Sequence, residues 1–350
     1  MTFDVFRERL TAYFGDKSWH LKRCRKCGRS FLTKADHVYC GRLECMEQPI
    51  HWERRKKAKR VEEVLDHMRR HFAEKGYYEK CLPNVNNPQK DTAFVVAAVQ
   101  LYNQDLEQGA CLDERPLLCP QPCLRLKPFP PAYSSLGFLY SFVNVATLQL
   151  NASMAQYCLF LDDWIGYLSA IGVHASRIRI VLCENYVNIR DLYFGWGVDV
   201  NIDGLELGHC NFYDRVVSGD GRETTGIDCG FCMERLLWVI NRGVFWDNLL
   251  PEDEAGLDDI HLEFEDILRS IVLIVMSGIR PGARNGNYRL KQLLNQLAQP
   301  GIDWMLIDQN IDHYFSFWQL FLGTYLSCSE CKTVIYGYLR DRYFKTRSIN

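Results

Sequence analysis

The chain of 350 residues predicts an α+β fold with a cysteine module near its start and a helical C-terminal part, on three observations. Between Cys81 and about Ile240, short strand-like segments are scattered among helices and turns without the regular alternation of a parallel sheet: Thr92-Ala93-Phe94-Val95-Val96, Ile178-Arg179-Ile180-Val181-Leu182 and Gly204-Leu205-Glu206-Leu207. Near the start, Cys24, Cys27, Cys40 and Cys45 fall in two close pairs. After Asp247 the apolar residues recur at helical spacing.

Composition sets the outer bounds. With 47% hydrophobic and 24% charged residues the chain has the make-up of a globular protein with a sizeable core. A net charge of -2 argues against a generally basic nucleic-acid binder, so such contact would have to be local. The first ten residues mix charges into an amphipathic pattern unlike a signal peptide, and the longest apolar run, Ile271 to Met276, is far too short for a membrane span. Fifteen cysteines, an odd number, fit a reducing compartment with some on metal and the rest buried. The expectation is a cytoplasmic protein without a membrane partner.

In chain order, Phe3, Phe6, Leu10, Tyr13 and Phe14 predict one amphipathic helix within residues 1 to about 20. Cys24-Arg25-Lys26-Cys27-Gly28 and Cys40-Gly41-Arg42-Leu43-Glu44-Cys45 are two knuckle-like pairs that can bring four thiolates into the tetrahedron a structural zinc prefers; coincidental cysteines are the alternative. His37 and His51 can each replace a thiolate, or be surface residues. The basic run Arg54 to Arg60 can touch phosphates or form a solvated linker, and Val61, Val64, Leu65, Met68 and Phe72 predict a helix ending near Gly76. Past the acidic linker Pro251 to Gly256, helices are expected at Phe264 to Met276, Tyr288 to Leu297 and Trp304 to about Tyr338, with a structural role for Cys328 and Cys331. Neither a phosphate-cradling glycine loop nor a dinucleotide fingerprint occurs, so a nucleotide would have to be held another way.

Two stretches carry chemistry. In Pro120-Gln121-Pro122-Cys123-Leu124-Arg125-Leu126, an arginine on a short strand after proline-rich turns can present its fork to a phosphate. Phe142 can lie against a purine held there if the chain returns as a hairpin; as an aromatic in an apolar strand it can equally be core. In Asp228-Cys229-Gly230-Phe231-Cys232-Met233-Glu234-Arg235, a carboxylate and a guanidinium flank a glycine at the opening of an apolar helix. That pattern fits a site holding an amine beside a phosphate, or a capping aspartate and a solvated arginine.

The same stretches resemble a known family. Gln121 to Leu126 resembles motif 2 of class II alanyl-tRNA synthetases, and Asp228 to Arg235 resembles their motif 3, Asp-Thr-Gly-x-Gly-Leu-Glu-Arg. The cysteine module, with Phe31 after Cys27, resembles the archaeal form, and the resemblance continues through Leu82-Pro83, Glu184-Asn185, Gly204-Leu205-Glu206 and Ser277 to Pro281, from about residue 20 to 297. It implies a class II aminoacyl-tRNA synthetase-like antiparallel sheet flanked by helices. The domains would be an N-terminal helix and zinc module over 1–60, a catalytic domain over 61–246 and a helical domain over 247–350 that resembles the start of the tRNA-recognition domain. It further implies an aminoacyl-adenylate formed from ATP, with Mg2+ on the phosphates. In that picture Arg125 meets the α-phosphate, Phe142 stacks on adenine, Gly230 lies with the nucleotide, Arg235 holds the γ-phosphate, and Asp228 holds the amino-acid ammonium.

Departures from the family bear on the acceptor. Cys232 replaces the second glycine of motif 3, and His209 stands where bacterial members carry an asparagine beside the amino acid, or is an ordinary buried histidine. The motif 2 loop, Lys127 to Leu136, is apolar and proline-rich, amides replace arginines in Tyr288 to Gln296, and the chain ends at Asn350 before the family's editing domain. The first expectation is therefore a ligase passing its acyl group to a carrier-protein thiol or a small amine. The alternatives are a minimal enzyme charging a tRNA, and a non-catalytic paralogue that binds or regulates.

Overall fold

The computed structural model describes residues 1–46, 50, 52–87, 92–110, 113–126, 137–251, 259–298, 304–323 and 325–347. The chain divides into two compact units, one of Met1–Lys80, Leu101–Pro120 and Asn144–Val244, the other of Cys81–Gln100, Gln121–Val143 and Phe245–Asn350.

The strands are β1 (His20–Arg23), β2 (Ser30–Thr33), β3 (Tyr78–Glu79), β4 (Leu117–Leu124), β5 (Ser141–Leu150), β6 (Ile178–Ile189), β7 (Tyr193–Ile202), β8 (Leu205–Val217) and β9 (Glu223–Cys232). Among the described residues they form a nine-stranded sheet in the order β1-β2-β6-β7-β8-β9-β5-β4-β3. The long central pairs are antiparallel, but β3 runs parallel to β4, so the sheet is mixed and the expectation of an antiparallel one is corrected. A parallel neighbour needs a crossover, and the chain between β3 and β4 supplies one through helix α3 (Asn103–Gln108). β7 and β8 are joined by Asp203 and Gly204, whose φ of 49° and 99° are the paired positive values of a tight hairpin turn.

In this first unit the sheet face bearing Thr147, Cys210 and Phe231 is covered by α4 (Met154–Ala170), which starts in a Ser153–Gln156 capping box. Trp164 stacks on Phe231 with ring centroids 3.9 Å apart and donates through Nε1 to Thr147 Oγ1 at 2.8 Å; Tyr157 donates to the carbonyl of Cys210 at 2.9 Å. Two further helices, α1 (Phe3–Gly15) and α2 (Val61–Glu74), bury the faces their apolar spacing marks: Phe6, Leu10 and Phe14 in α1, Val64, Leu65, Met68 and Phe72 in α2. Helix α5 (Met233–Asn241) follows β9 directly. Its Asn241 receives the Lys59 N–H at 2.8 Å and donates to the Lys59 carbonyl at 2.9 Å, while its own carbonyl takes the Arg55 N–H, also at 2.9 Å. The basic run is thereby a segment pinned at Arg55 and Lys59, bent at Lys56 and Lys57, with most of its side chains exposed.

In the second unit, α6 (Asp259–Met276) packs with α7 (Asn285–Leu297), α8 (Trp304–Gln319) and α9 (Cys328–Arg347). Two expectations change here. Thr92 to Val96 forms one bridge, Asn86 with Phe94, in place of a strand, because Gln100 Oε1 takes the Val96 and Ala97 N–H groups and turns the chain. The single helix expected from Trp304 to Tyr338 is two: the first ends before Gly323, and the second opens on Ser327, whose Oγ accepts from Glu330 N while Glu330 Oε2 accepts from Ser327 N. Cys331 is buried at the base of α9, and Cys328 Sγ donates to Asp312 at 3.1 Å. The acidic linker lies largely outside the described residues. Among the described residues no helix is long and apolar enough to cross a membrane.

Candidate active site

The face of the first unit's sheet opposite α4 carries its polar chemistry. Register places Asp199, His209 and Gly230 side by side on one rung, and Gly197, Asn211 and Asp228 on the next. His209 Nδ1 is 2.7 Å from Asp199 Oδ1, and its Nε2 is 2.9 Å from Asn211 Oδ1. Asn211 Nδ2 donates to Tyr213 Oη at 3.3 Å, and Tyr213 donates to Asp228 Oδ2 at 3.2 Å. Polar groups thus run unbroken from Asp199 to Asp228. Burial opposes a charge on His209, but the hydrogen bonds to Asp199 and Cys183 outweigh it and raise the imidazole to about 11.

Glycines let the polar side chains of this face pack closely over the strands. A Cβ at Gly197 would stand 2.5 Å from Asn211 Oδ1 and 3.2 Å from His209 Cε1; at Gly230 it would meet Asn144 Nδ2 at 2.9 Å. Asp228 lies within β9 and is not the N-cap of α5, which is Cys232 and makes no side-chain cap bond. Arg235, in the first turn of α5, donates from Nη1 to the Glu206 carbonyl at 2.7 Å, so it is held and not merely solvated. Cys232 Sγ donates to the buried Glu234 carboxylate at 3.3 Å, and burial pushes its thiol up to about 12.

Arg125 and Phe142 belong to the second unit and meet there. The guanidinium lies over the ring, 4.7 Å from its centroid, while Nε donates to the Val96 carbonyl at 2.9 Å. The segments are clamped from α6: the Arg125 N–H bonds to the Tyr140 carbonyl at 2.8 Å, Asp266 Oδ2 takes the Tyr140 N–H at 2.8 Å, and Arg269 Nη1 donates to the Ser141 carbonyl. Buried Gln121 ties the motif to Leu82, whose N–H it accepts at 2.8 Å. The loop from Lys127 to Leu136 lies outside the described residues.

The Sγ atoms of Cys24, Cys27, Cys40 and Cys45 lie within 4.8 Å of one another, packed with Phe31 and Val181. Against the cost of burial, the Cys27, Cys40 and Lys26 amides turned toward Cys24 lower its thiol to about 6, while burial raises Cys45 to about 12. Four soft donors converging with backbone N–H groups fit a tetrahedral thiophilic ion. His37 takes no part, since Nε2 meets the Ser176 carbonyl at 2.7 Å and Nδ1 meets Arg179 at 3.0 Å; His51 lies outside the described residues.

No protein-family model matches the chain. It is 24% identical over 249 residues to the alanine–tRNA ligase of Ignicoccus hospitalis, covering 66% of this chain and 27% of that protein. It is 25% identical over 358 residues to that of Methanocella arvoryzae, covering 83% and 40%. The chain resembles alanine–tRNA ligases. This alanine–tRNA ligase-like chain spans between a quarter and two-fifths of the length of the curated relatives it matches. Among solved structures it matches pyrrolysyl-tRNA synthetase from Desulfitobacterium hafniense with a TM-score of 0.40 and 14% identity over 52% of this chain and 70% of that one; a second structure of that enzyme gives 0.41, with 14% identity over 52% and 69%.

Sequence reasoning named His209, Asp228 and Gly230 on this face and Arg235 on α5, and passed over Cys183, Asp199, Asn211 and Tyr213. The alternation His209, Asn211, Tyr213 was a signal that these three share a face.

Proposed function

We propose that the chain activates an amino acid with ATP, forming an aminoacyl-adenylate and releasing pyrophosphate. The observation that carries this reading is Asp228, set on a strand face between glycines and wired to His209 through Tyr213 and Asn211, one strand-to-helix step from Arg235. The amino-acid ammonium pairs with Asp228, and His209 borders the side chain. A carboxylate oxygen of the amino acid attacks the α-phosphorus, the bond to the pyrophosphate oxygen breaks, and the charge gathering on the α-phosphate is met by Arg125. Phe142 offers its ring to adenine, Gly230 gives the nucleotide room, and Arg235 takes the γ-phosphate. Mg2+, when bound, neutralises phosphate charge. Zn2+ held by Cys24, Cys27, Cys40 and Cys45 serves structure. No protein nucleophile is needed.

For the acceptor, the reading favoured by the altered motif 2 loop is a carrier-protein thiol or a small amine in the cytoplasm. Charging of a tRNA is supported by a separate observation, the exposed basic run pinned along α5, and by the named activity of the relatives. Amino-acid-dependent exchange of pyrophosphate into ATP, run over the twenty amino acids and unusual ones, tests the central claim. Exchange with one or a few substrates supports it; silence across the panel overturns it and leaves a binding or regulatory protein. In an exchange-active preparation, acid-stable aminoacylation of bulk tRNA then separates the two acceptors.

A further inference from the structure

Cys183 of β6, Asp199 of β7 and His209 of β8 come from three adjacent strands, and each offers one ligand atom within 4.8 Å of the others. The four-cysteine module shares none of these groups. A thiol, a carboxylate and an imidazole are together a donor set for a borderline transition ion, and they do not suit Mg2+ or Ca2+, which demand oxygen.

The surroundings of His209 are those of a ligand. The Asn211 amide donates its Nδ2 to Tyr213, which turns its Oδ1 to His209 and makes it an acceptor for Nε2–H at 2.9 Å. That keeps a proton on Nε2 and leaves Nδ1, the nitrogen facing Asp199 at 2.7 Å, as the one that gives up its proton to an incoming ion. Metal-bound histidines are commonly oriented in this way, by an outer partner on the opposite nitrogen. Gly197, the register partner of both Cys183 and Asn211, has no side chain, and the room a Cβ would take is filled by Asn211 Oδ1 and His209 Cε1. The Asp199 side chain is 11% exposed and that of His209 is 40% exposed, so the cluster is sunk on the Asp199 side and open on the other.

We infer that Cys183, Asp199 and His209 form a second metal site, for Zn2+ or a similar dication, with three protein ligands and an open coordination position on the face that carries Asp228. Three protein ligands beside an open position are the pattern of an ion that receives an exogenous donor. Resting on the amino-acid reading above, the donor that fits is a thiol, amine or hydroxyl on the substrate side chain, which selects against alanine.

The full chain, equilibrated with Zn2+ under reducing conditions and freed of loose ion, is assayed for metal by mass spectrometry. Two equivalents per chain are expected, falling to one in Cys183→Ser and in Asp199→Asn, with far-UV circular dichroism establishing that at least one variant is folded. One equivalent in the unaltered chain, or an unchanged count in a folded variant, overturns the site. With Co2+ in place of Zn2+, the visible bands shift on addition of cysteine, 2,3-diaminopropionate or serine and stay fixed with alanine; bands that no amino acid moves overturn the substrate claim. Because metal count needs no catalysis, it stands or falls apart from pyrophosphate exchange.

Discussion

The guanidinium of Arg125 lies over the ring of Phe142, 4.7 Å from the centroid, with Nε tied to the Val96 carbonyl. The residues assigned to the α-phosphate and to adenine therefore cover each other, and a nucleotide would have to part them. Arg125→Ala is expected to lower the pyrophosphate exchange rate by about 100-fold or more, since a preorganised charge clamp contributes about 3 kcal/mol of barrier lowering. Arg125→Lys should restore little of it because the fork is lost. Phe142→Ala should act mainly on the KM for ATP. Steady-state kinetics with ATP varied reads all three.

Cys40 and Cys45 are wholly buried beside Phe31 and Val181. Cys40→Ser removes one thiolate from the four-cysteine module. If that module holds zinc, the change costs about 3 kcal/mol or more, a drop of roughly 6–12 °C in the melting midpoint. Scanning calorimetry of the reduced chain measures it; an unchanged midpoint would remove the ion from the module.

Asn241 holds Lys59 through both its N–H and its carbonyl. Asn241→Ala should cost about 1–2 kcal/mol locally and speed tryptic cleavage within Arg54 to Arg60 several-fold, read by limited proteolysis. Reversing the charges of Arg54, Lys56 and Lys57 should lower the salt dependence of tRNA binding, by up to about 0.9 in log–log slope for each duplex phosphate no longer neutralised. A slope that does not move would take tRNA off this segment.

Cys232 stands where the related motif has glycine, and its thiol donates to Glu234. Cys232→Gly is expected to lower stability by about 1–2 kcal/mol, through the lost bond and a freer backbone, while lowering the KM for ATP by clearing the strand end. With its thiol raised by burial to about 12, Cys232 stays protonated at pH 8, and iodoacetamide should label it far more slowly in the folded chain than in the chain unfolded by denaturant.

Much of this was legible in the sequence. Apolar spacing marked the buried faces of α1 and α2, because a helix repeats every few residues and needs no distant partner to show its stripe. Cysteine spacing marked the module, and the stretches around Arg125 and Asp228 marked the candidate chemistry. The break between α8 and α9 was also written, in Gly323 and the Ser327–Glu330 capping box, but an apolar pattern that runs on across it concealed it.

The sequence by itself determined which residues can do the chemistry; tertiary structure decided which of them meet. Ile202 pairs with Leu205 and Asn201 with Glu206, but Val200 pairs with Gly208, so Leu207 is an extra residue and the register moves by one. That bulge sets His209, and not Gly208, opposite Asp199 and turns its ring to the face opposite α4. Side chains alternate with a period of two, so a slip of one residue reverses every side chain beyond it. Local composition carries no record of that slip, which is why Asp199, Cys183 and Asn211 became neighbours of His209 only in the folded sheet.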